Sequence, residues 1–269
     1  MTLPSFAHLR TMTDEVGMFE HANHAEPRRE SGYRVDDMAR LLIVAVREPS
    51  DRQVVRELTR TAFRFMAESQ NVHGRVRNRR ATNGRWTGRH GVEDCWGLSL
   101  WAFGTAARRA PDERMRSSAL SYFGHGASQR SPHRRAMAFA GLGAVEAAEF
   151  DEHHRGARQM LAEVITALVP LGADANWRWP EPRLAYANPP LSAPGLAAFA
   201  YASRGPGHRQ LASPLCGPLA VMTSARTDRS PPRCSAYSPV PHSCLFYPPP
   251  TPPDQALTPL PPPPRENTS

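Results

Sequence analysis

The chain has no lysine: all 33 basic residues are arginine, and the formal net charge is +8. Such an absence is typical of codon bias in a GC-rich genome and is weak evidence for a DNA-binding surface. The arginine-rich segment 70–91 contains one aromatic side chain of Phe, Trp or Tyr type, Trp86. Proteins that bind single strands instead interleave several aromatics with their basic groove. We therefore expect no nucleic-acid partner.

Cysteine is also scarce, with four in the chain, three of them beyond residue 203. Only Cys95 lies in the patterned region, so neither a disulfide framework nor metal-knuckle spacing is present. His21 and His24 could ligate a metal from one helix face, but no third ligand follows at a telling spacing. We expect no metal, no cofactor and a reducing compartment.

Long uncharged apolar runs are missing. A membrane-spanning helix needs about 18 consecutive apolar residues, and no stretch of the chain reaches that length. Arg10, Asp14 and Glu15 precede the first long apolar run. These features predict a soluble, cytoplasmic chain with no membrane partner.

Acidic residues and helical patterning become rare towards the end of the chain. Of 28 prolines, 20 follow Asn188, and only Asp228, Asp254 and Glu266 supply negative charge after Ser203. Proline breaks helices, and a segment poor in apolar patterning does not bury a core. We predict two parts: a helical-hairpin domain over 1–203 and a disordered proline-rich tail over 204–269.

Helical periodicity dominates what is present. Apolar positions repeat at helical spacing after Asp36, over 51–69, 96–107, 115–123, 131–148 and 160–168, and no convincing period-two alternation appears. Asp51 and Ser131, the latter followed by Pro132, stand where helix caps are expected. The sequence therefore predicts an all-α fold built from helical hairpins.

Two acidic doublets, Asp36-Asp37 and Glu93-Asp94, each precede a strongly apolar helix. One interpretation is capping, because carboxylates favour helix N-termini. The other is a shared cleft, because the ends of inner helices in a ring of hairpins converge. Glu181 would join it from a later loop. Glycoside chemistry uses such paired carboxyl groups, one to donate a proton and one to activate water.

Several aromatic residues accompany the doublets. Trp86, Trp177 and Trp179 fall in loops, where their rings could pack against sugars, although burial in the core is the competing interpretation.

An ordered series of motifs runs along the chain: Thr13-Asp14-x-x-Gly17, His21-Ala22, Pro27, Gly32-Tyr33, Asp36-Asp37-x-Ala39-Arg40, Glu93-Asp94, Ser131-Pro132, Trp177-x-Trp179, Glu181 and Leu184-x-Tyr186-x-Asn188. This series resembles a bacterial family of six-hairpin, (α/α)6-toroid, glycosidase-like proteins that are often named as glycosyltransferases or joined to one. The resemblance covers roughly residues 5–188. It implies carbohydrate metabolism, with a glycan substrate and a possible glycosyltransferase partner.

Together, the residues and the resemblance define a candidate site. Its catalytic candidates are Asp36, Asp37, Glu93, Asp94 and Glu181. Its substrate-binding candidates are His21, Tyr33, Trp86, Trp96, Trp177, Trp179 and Tyr186.

The chain departs from the family pattern after Asn188. A complete toroid needs twelve helices and well over about 300 residues, whereas we count about seven helices before Asn188. A truncation or frameshift there would leave an inactive protein, and the alternative is a genuine tail that binds partner domains. Two further functions stay open: a sugar epimerase or isomerase using His21 or His24, and a noncatalytic helical-repeat module.

Overall fold

The computed structural model describes residues 4–168 and residue 191, with only the backbone of 165 and 166. This part of the chain is all-α, as the sequence predicts. Within residues 4–168 the helices are α1 (Ala7–Thr11), α2 (Val35–Arg47), α3 (Gln53–Ser69), α4 (Asp94–Arg109), α5 (Glu113–Gly126), α6 (Arg134–Phe150) and α7 (Arg155–Leu168), with a 3-10 turn at Arg29–Ser31. In this part of the chain no helix is long and apolar enough to cross a membrane.

The helices pack as a row of hairpins. Consecutive helices pair as α2 with α3, α4 with α5 and α6 with α7, while α2, α4 and α6 pack side by side. The α4 and α6 helices are buried along most of their length, whereas α3 and α5 bury only one face. The apolar side chains of α2, α4 and α6 therefore form the centre of the core.

The α4–α6 contact is close because small residues face one another. A Cβ atom added to Gly97 would overlap the carbonyl oxygen of Ala136, and one added to Gly104 would overlap that of Gly143. A Cβ atom on Gly143 would overlap the carbonyl oxygen of Leu100. The two backbones thus touch directly, which only glycine permits at these positions.

Short strands are the main addition to the helical prediction. β1 (Ala22–Asn23) pairs antiparallel with β2 (Glu26–Pro27). A second antiparallel sheet has the order β3 (Tyr33–Arg34), β4 (Arg79–Arg80) and β5 (Trp86–Thr87). Each strand has two residues, so no alternation of apolar and polar residues could develop in the sequence.

The predicted helix caps are placed differently in the structure. The α3 helix begins at Gln53, and Asp51 pairs with Arg56 at 2.7 Å instead of capping. The α6 helix begins at Arg134, and the Ser131 hydroxyl oxygen accepts a hydrogen bond from the His133 amide at 3.1 Å. Neither predicted residue occupies the N-cap position of its helix.

Candidate functional site

The starts of α2 and α4 are tied together by the segment Val76–Asn78. The Val35 amide donates to the Asn78 carbonyl at 2.9 Å, which fixes the first residue of α2. The amide and carbonyl of Val76 bond reciprocally with those of Gly91, at 3.0 and 2.9 Å, just before α4. The polar segment 70–91, which the sequence presents as a long loop, therefore connects the starts of two inner helices by hydrogen bonds. We call residues 70–91 the clamp segment.

A cleft of about 460 Å³ opens where these helices begin. We call it the helix-start cleft, and its lining residues are Arg34, Asp36, Val76, Asn78, Arg89, Glu93, Asp94, Cys95 and His133. His133 directly precedes α6, so the starts of α2, α4 and α6 all contribute. The predicted convergence of the two doublets is confirmed for Asp36, Glu93 and Asp94.

The doublets do not act as side-chain caps. Asp36 and Asp37 are the second and third residues of α2, and the N-cap residue is Arg34. Glu93 is the N-cap residue of α4, yet its side chain accepts no capping hydrogen bond. The capping interpretation therefore fails to explain Asp36 and Glu93, although both remain favourably placed in the helix dipole.

A series of ion pairs through Arg34 holds the Asp36 carboxylate in place. Arg34 contacts Asp36 at 2.7 Å and Glu20 at 3.1 Å, and Arg79 contacts Glu20 at 2.8 Å. Burial by itself would raise the pKa of Glu20, but the hydrogen bond and charge of Arg34 and the charge of Arg79 hold it below its usual value. Burial likewise opposes the charge of Arg34, whose pKa is nevertheless raised by Asp36 and Glu20.

Unpaired buried polar atoms concentrate at this cleft. Arg34 Nε, Asp36 Oδ1 and Asn78 Oδ1 belong to lining residues, are buried, and have no hydrogen-bond partner among the described residues. Arg77 Nε, between two lining residues in sequence, is the fourth such atom in the described part of the chain. Buried polar groups are nearly always hydrogen-bonded, so these atoms need partners that the described residues do not supply.

Glu93 and Asp37 differ from Asp36 in their surroundings. The Glu93 carboxylate is exposed, lies against Gly91, and has no hydrogen bond or ion pair among the described residues. The Asp37 carboxylate pairs with Arg40 at 3.0 Å and does not line the cleft. Burial raises the pKa of Asp37. The positive charge of Arg40 opposes this rise, and the negative charge of Asp36 adds to it. Of the two members of this doublet, only Asp36 lines the cleft.

Cys95 lines the cleft but is not a reactive nucleophile. Its side chain is buried, and burial together with Asp36 and Glu93 raises the pKa of its thiol to about 12. Its thiol therefore stays protonated at neutral pH. Within residues 4–168 and 191, no group of three His, Cys, Asp or Glu side chains is placed to hold a metal ion.

Two of the predicted substrate-binding aromatics, Tyr33 and Trp96, are not lining residues of the cleft. Tyr33 is 2% exposed, and its hydroxyl donates to Asp14 at 2.6 Å. Trp96 is fully buried, and its indole nitrogen donates to the Gly126 carbonyl at 3.2 Å. Sugar stacking requires an open ring, so the structure corrects this role for both residues and assigns them to the core.

Trp86 and His21 also fall outside the cleft lining. The Trp86 ring packs against Phe65 at 4.9 Å between centroids, with the Arg80 guanidinium 5.4 Å from its centre. His21 is largely exposed beside Glu20, at 3.6 Å. The remaining candidates, Trp177, Trp179, Glu181 and Tyr186, lie outside the described residues.

Arg34, Asn78, Arg89 and His133 were missed as site residues from sequence. The signal for His133 was its position directly before the third inner helix, equivalent to the doublets before the first two. Arg34 adjoins the first doublet, but its contact with Asp36 depends on β3 ending there. Asn78 and Arg89 come from the clamp segment, which carries no motif of its own.

The comparisons with known proteins add no relative. The chain matches no protein-family model, no curated protein and no solved structure.

Proposed function

We propose that the chain is a cytoplasmic, carbohydrate-active protein of the six-hairpin type that binds a glycan or glycoside in the helix-start cleft. The supporting observation is the set of buried, unpaired polar atoms on its lining residues. Asp36 Oδ1 and Asn78 Oδ1 need hydrogen-bond donors, and Arg34 Nε needs an acceptor. A sugar hydroxyl both donates and accepts, so a pair of neighbouring hydroxyls meets both needs at once. A ligand that only accepts hydrogen bonds, such as a fully ionised phosphate, does not.

The carboxyl groups have the environments that acid/base chemistry requires. Arg34 holds one oxygen of Asp36, while the other oxygen is buried without a hydrogen-bond partner among the described residues. Glu93 is exposed and has no hydrogen bond or ion pair among the described residues. In this proposal Asp36 is the base that activates water, and Glu93 is the acid that protonates the leaving oxygen.

Binding and turnover are tested separately. Calorimetric titration of the full chain with a panel of neutral oligosaccharides should show binding to at least one of them. Asn78→Ala should weaken that binding by at least about tenfold, since a hydroxyl would lose a buried partner. Glu152→Gln, an exposed carboxylate remote in sequence from the cleft residues, is the matched control. A wild-type chain that binds no carbohydrate of the panel would contradict the proposal.

Turnover is measured as release of reducing ends from the bound oligosaccharide. Asp36→Asn and Glu93→Gln should each lower it by about 100-fold or more, because an amide cannot exchange the proton. Asp37→Asn should retain most of it, since Asp37 pairs with Arg40 outside the lining. Carbohydrate binding without any turnover would instead identify a noncatalytic glycan-binding module that uses the same polar atoms.

The epimerase alternative receives less support from the structure. His21 and His24 do not line the cleft, and His133 is the histidine in its lining. A histidine-based proton transfer in this cleft would therefore depend on His133. His133→Gln separates the two reactions, because it leaves the carboxyl pair intact.

A further inference from the structure

A second cavity lies towards the other end of α2, about 18 Å along a helix of 13 residues. Its volume is about 580 Å³, within the range of small-molecule sites. It opens between the α2–α3 turn and the α4–α5 turn, and we call it the turn cavity. None of its lining residues lines the helix-start cleft.

The turn cavity combines an apolar wall with a set of guanidinium groups. The apolar wall includes Val46, Val55, Pro111 and Met115. The guanidinium groups belong to Arg47, Arg56, Arg60 and Arg109. An apolar wall with a few convergent charged groups is the usual construction of a site for an organic ion.

Each carboxylate of the lining already has a partner within the protein. These partners are the Ser50 amide and Arg52 for Glu48, Arg56 for Asp51, and the Arg114 amide for Asp112. The lining therefore holds four arginines against these three carboxylates, a net charge of +1.

The guanidinium groups deeper in the cavity share their carboxylates. Glu146 lies 2.7 Å from Arg47, 2.9 Å from Arg108 and 3.5 Å from Arg109. Arg108 has a second carboxylate, Glu149, at 2.6 Å. Arg47 and Arg109 of the lining thus share Glu146 with Arg108, which lies outside the lining.

Arg60 adds a further cation at the rim. It projects from α3, is exposed, and has no hydrogen bond or ion pair among the described residues. An unpaired cation on a lining with a net positive charge attracts an anionic group. The adjoining apolar wall gives the rest of such a ligand a place to be buried.

We propose that the turn cavity binds an amphipathic carboxylate: an apolar body that packs against Val46, Val55 and Met115 and a carboxylate that pairs with the arginines. The site is independent of the helix-start cleft. It stands or fails separately from the proposed carbohydrate function, because its test measures binding of a different ligand.

The test is calorimetric titration of the full chain with octanoate, octanamide and acetate. Octanamide keeps the apolar body without the charge, and acetate keeps the charge without most of the body. Octanoate should bind at least about tenfold more tightly than either one, because each lacks one half of the recognition. Equal binding of octanoate and octanamide, or no binding of octanoate, overturns the proposal.

Two variants locate the site. Arg60→Gln should weaken octanoate binding by about threefold to fivefold, the effect of one partly exposed charge. Met115→Glu should reduce it by more than about tenfold, because it places a carboxylate on the apolar wall. The control is Arg85→Gln, at an exposed arginine of segment 70–91 whose side chain has no hydrogen bond or ion pair within residues 4–168.

Circular dichroism and thermal melting of each variant check the fold. Arg60 makes no contact whose loss would unfold α3, so its variant keeps the result interpretable if Met115→Glu is unstable. Binding of octanoate to Arg60→Gln and to a folded Met115→Glu with wild-type affinity would contradict the assignment of the cavity.

Discussion

Replacing glycine by alanine should have opposite effects on stability at two positions: Gly104, at the contact between α4 and α6, and Gly124 in α5. Gly104→Ala would place a Cβ atom onto the Gly143 carbonyl oxygen and 2.8 Å from its carbonyl carbon. Ordinary contact begins at 3.4 Å, so the helices would have to separate by more than about half an ångström. The obstructing atoms belong to a backbone and cannot rotate away as a side chain can.

The magnitude follows from two opposing contributions. Overpacking a well-packed core costs about 1–3 kcal/mol, and the backbone position of the obstruction puts this site at the upper end. Alanine is favoured over glycine in a helix by about 1 kcal/mol, which offsets part of the cost. We expect Gly104→Ala to lower the free energy of unfolding by about 2 kcal/mol, or the melting temperature by about 4–8 °C.

Gly124→Ala in α5 is the matched control. A Cβ atom there would meet its nearest neighbour, His154 Nε2, at 3.5 Å, which is ordinary contact. Only the helix-propensity gain remains, so this variant should be more stable than wild type by about 0.5–1 kcal/mol.

Urea unfolding followed by far-ultraviolet circular dichroism measures both variants. The slope of free energy against urea should stay the same, so that the midpoints report stability. If Gly104→Ala is as stable as Gly124→Ala, the two backbones do not touch and the described α4–α6 packing is incorrect.

Three further predictions concern the charged groups, the cleft and its thiol. Burial opposes ionisation of Glu146, but Arg47, Arg109 and Arg108 hold its pKa below the usual value. The ionised Glu146 therefore stabilises the folded chain fully above the unfolded-state pKa of about 4.5, and this stabilisation is lost as pH falls through the lower folded-state pKa. Glu146→Gln should cost about 3 kcal/mol at pH 7 and less at pH 3 in urea titrations at both pH values, and a pH-independent cost would refute the ion-pair explanation. Gly91→Ala should displace the Glu93 carboxylate that lies against it, lowering any turnover by about tenfold with little change in melting temperature, whereas unchanged turnover would remove Glu93 from the reaction. Cys95 should resist iodoacetamide at pH 8 until the chain is unfolded, as peptide mass mapping would show, because burial raises the pKa of its thiol to about 12; rapid native labelling would contradict the described burial.

The helical class was predictable because each inner helix carries its own periodic apolar pattern. The convergence of Asp36 with Glu93 and Asp94 was predictable as well, since both doublets precede inner helices. The choice between Asp36 and Asp37 was not, because adjacent helical residues point about 100° apart and the sequence does not show which of them faces the cleft. The structure decides it through Arg34, which contacts Asp36, and Arg40, which contacts Asp37.

The sequence by itself determined which segments form helices, since hydrophobic periodicity and helix-breaking residues act locally along the chain. Tertiary structure alone decided that Val76–Asn78 clamps two helix starts, because pairing of two-residue strands leaves no periodic signal. It also decided that Trp96 and Tyr33 belong to the core, since aromatic rings suit a sugar surface and a protein interior equally well. Burial and contacts between distant segments are properties of the folded chain. They decide that Asp36, Glu93 and Asp94 line one cleft.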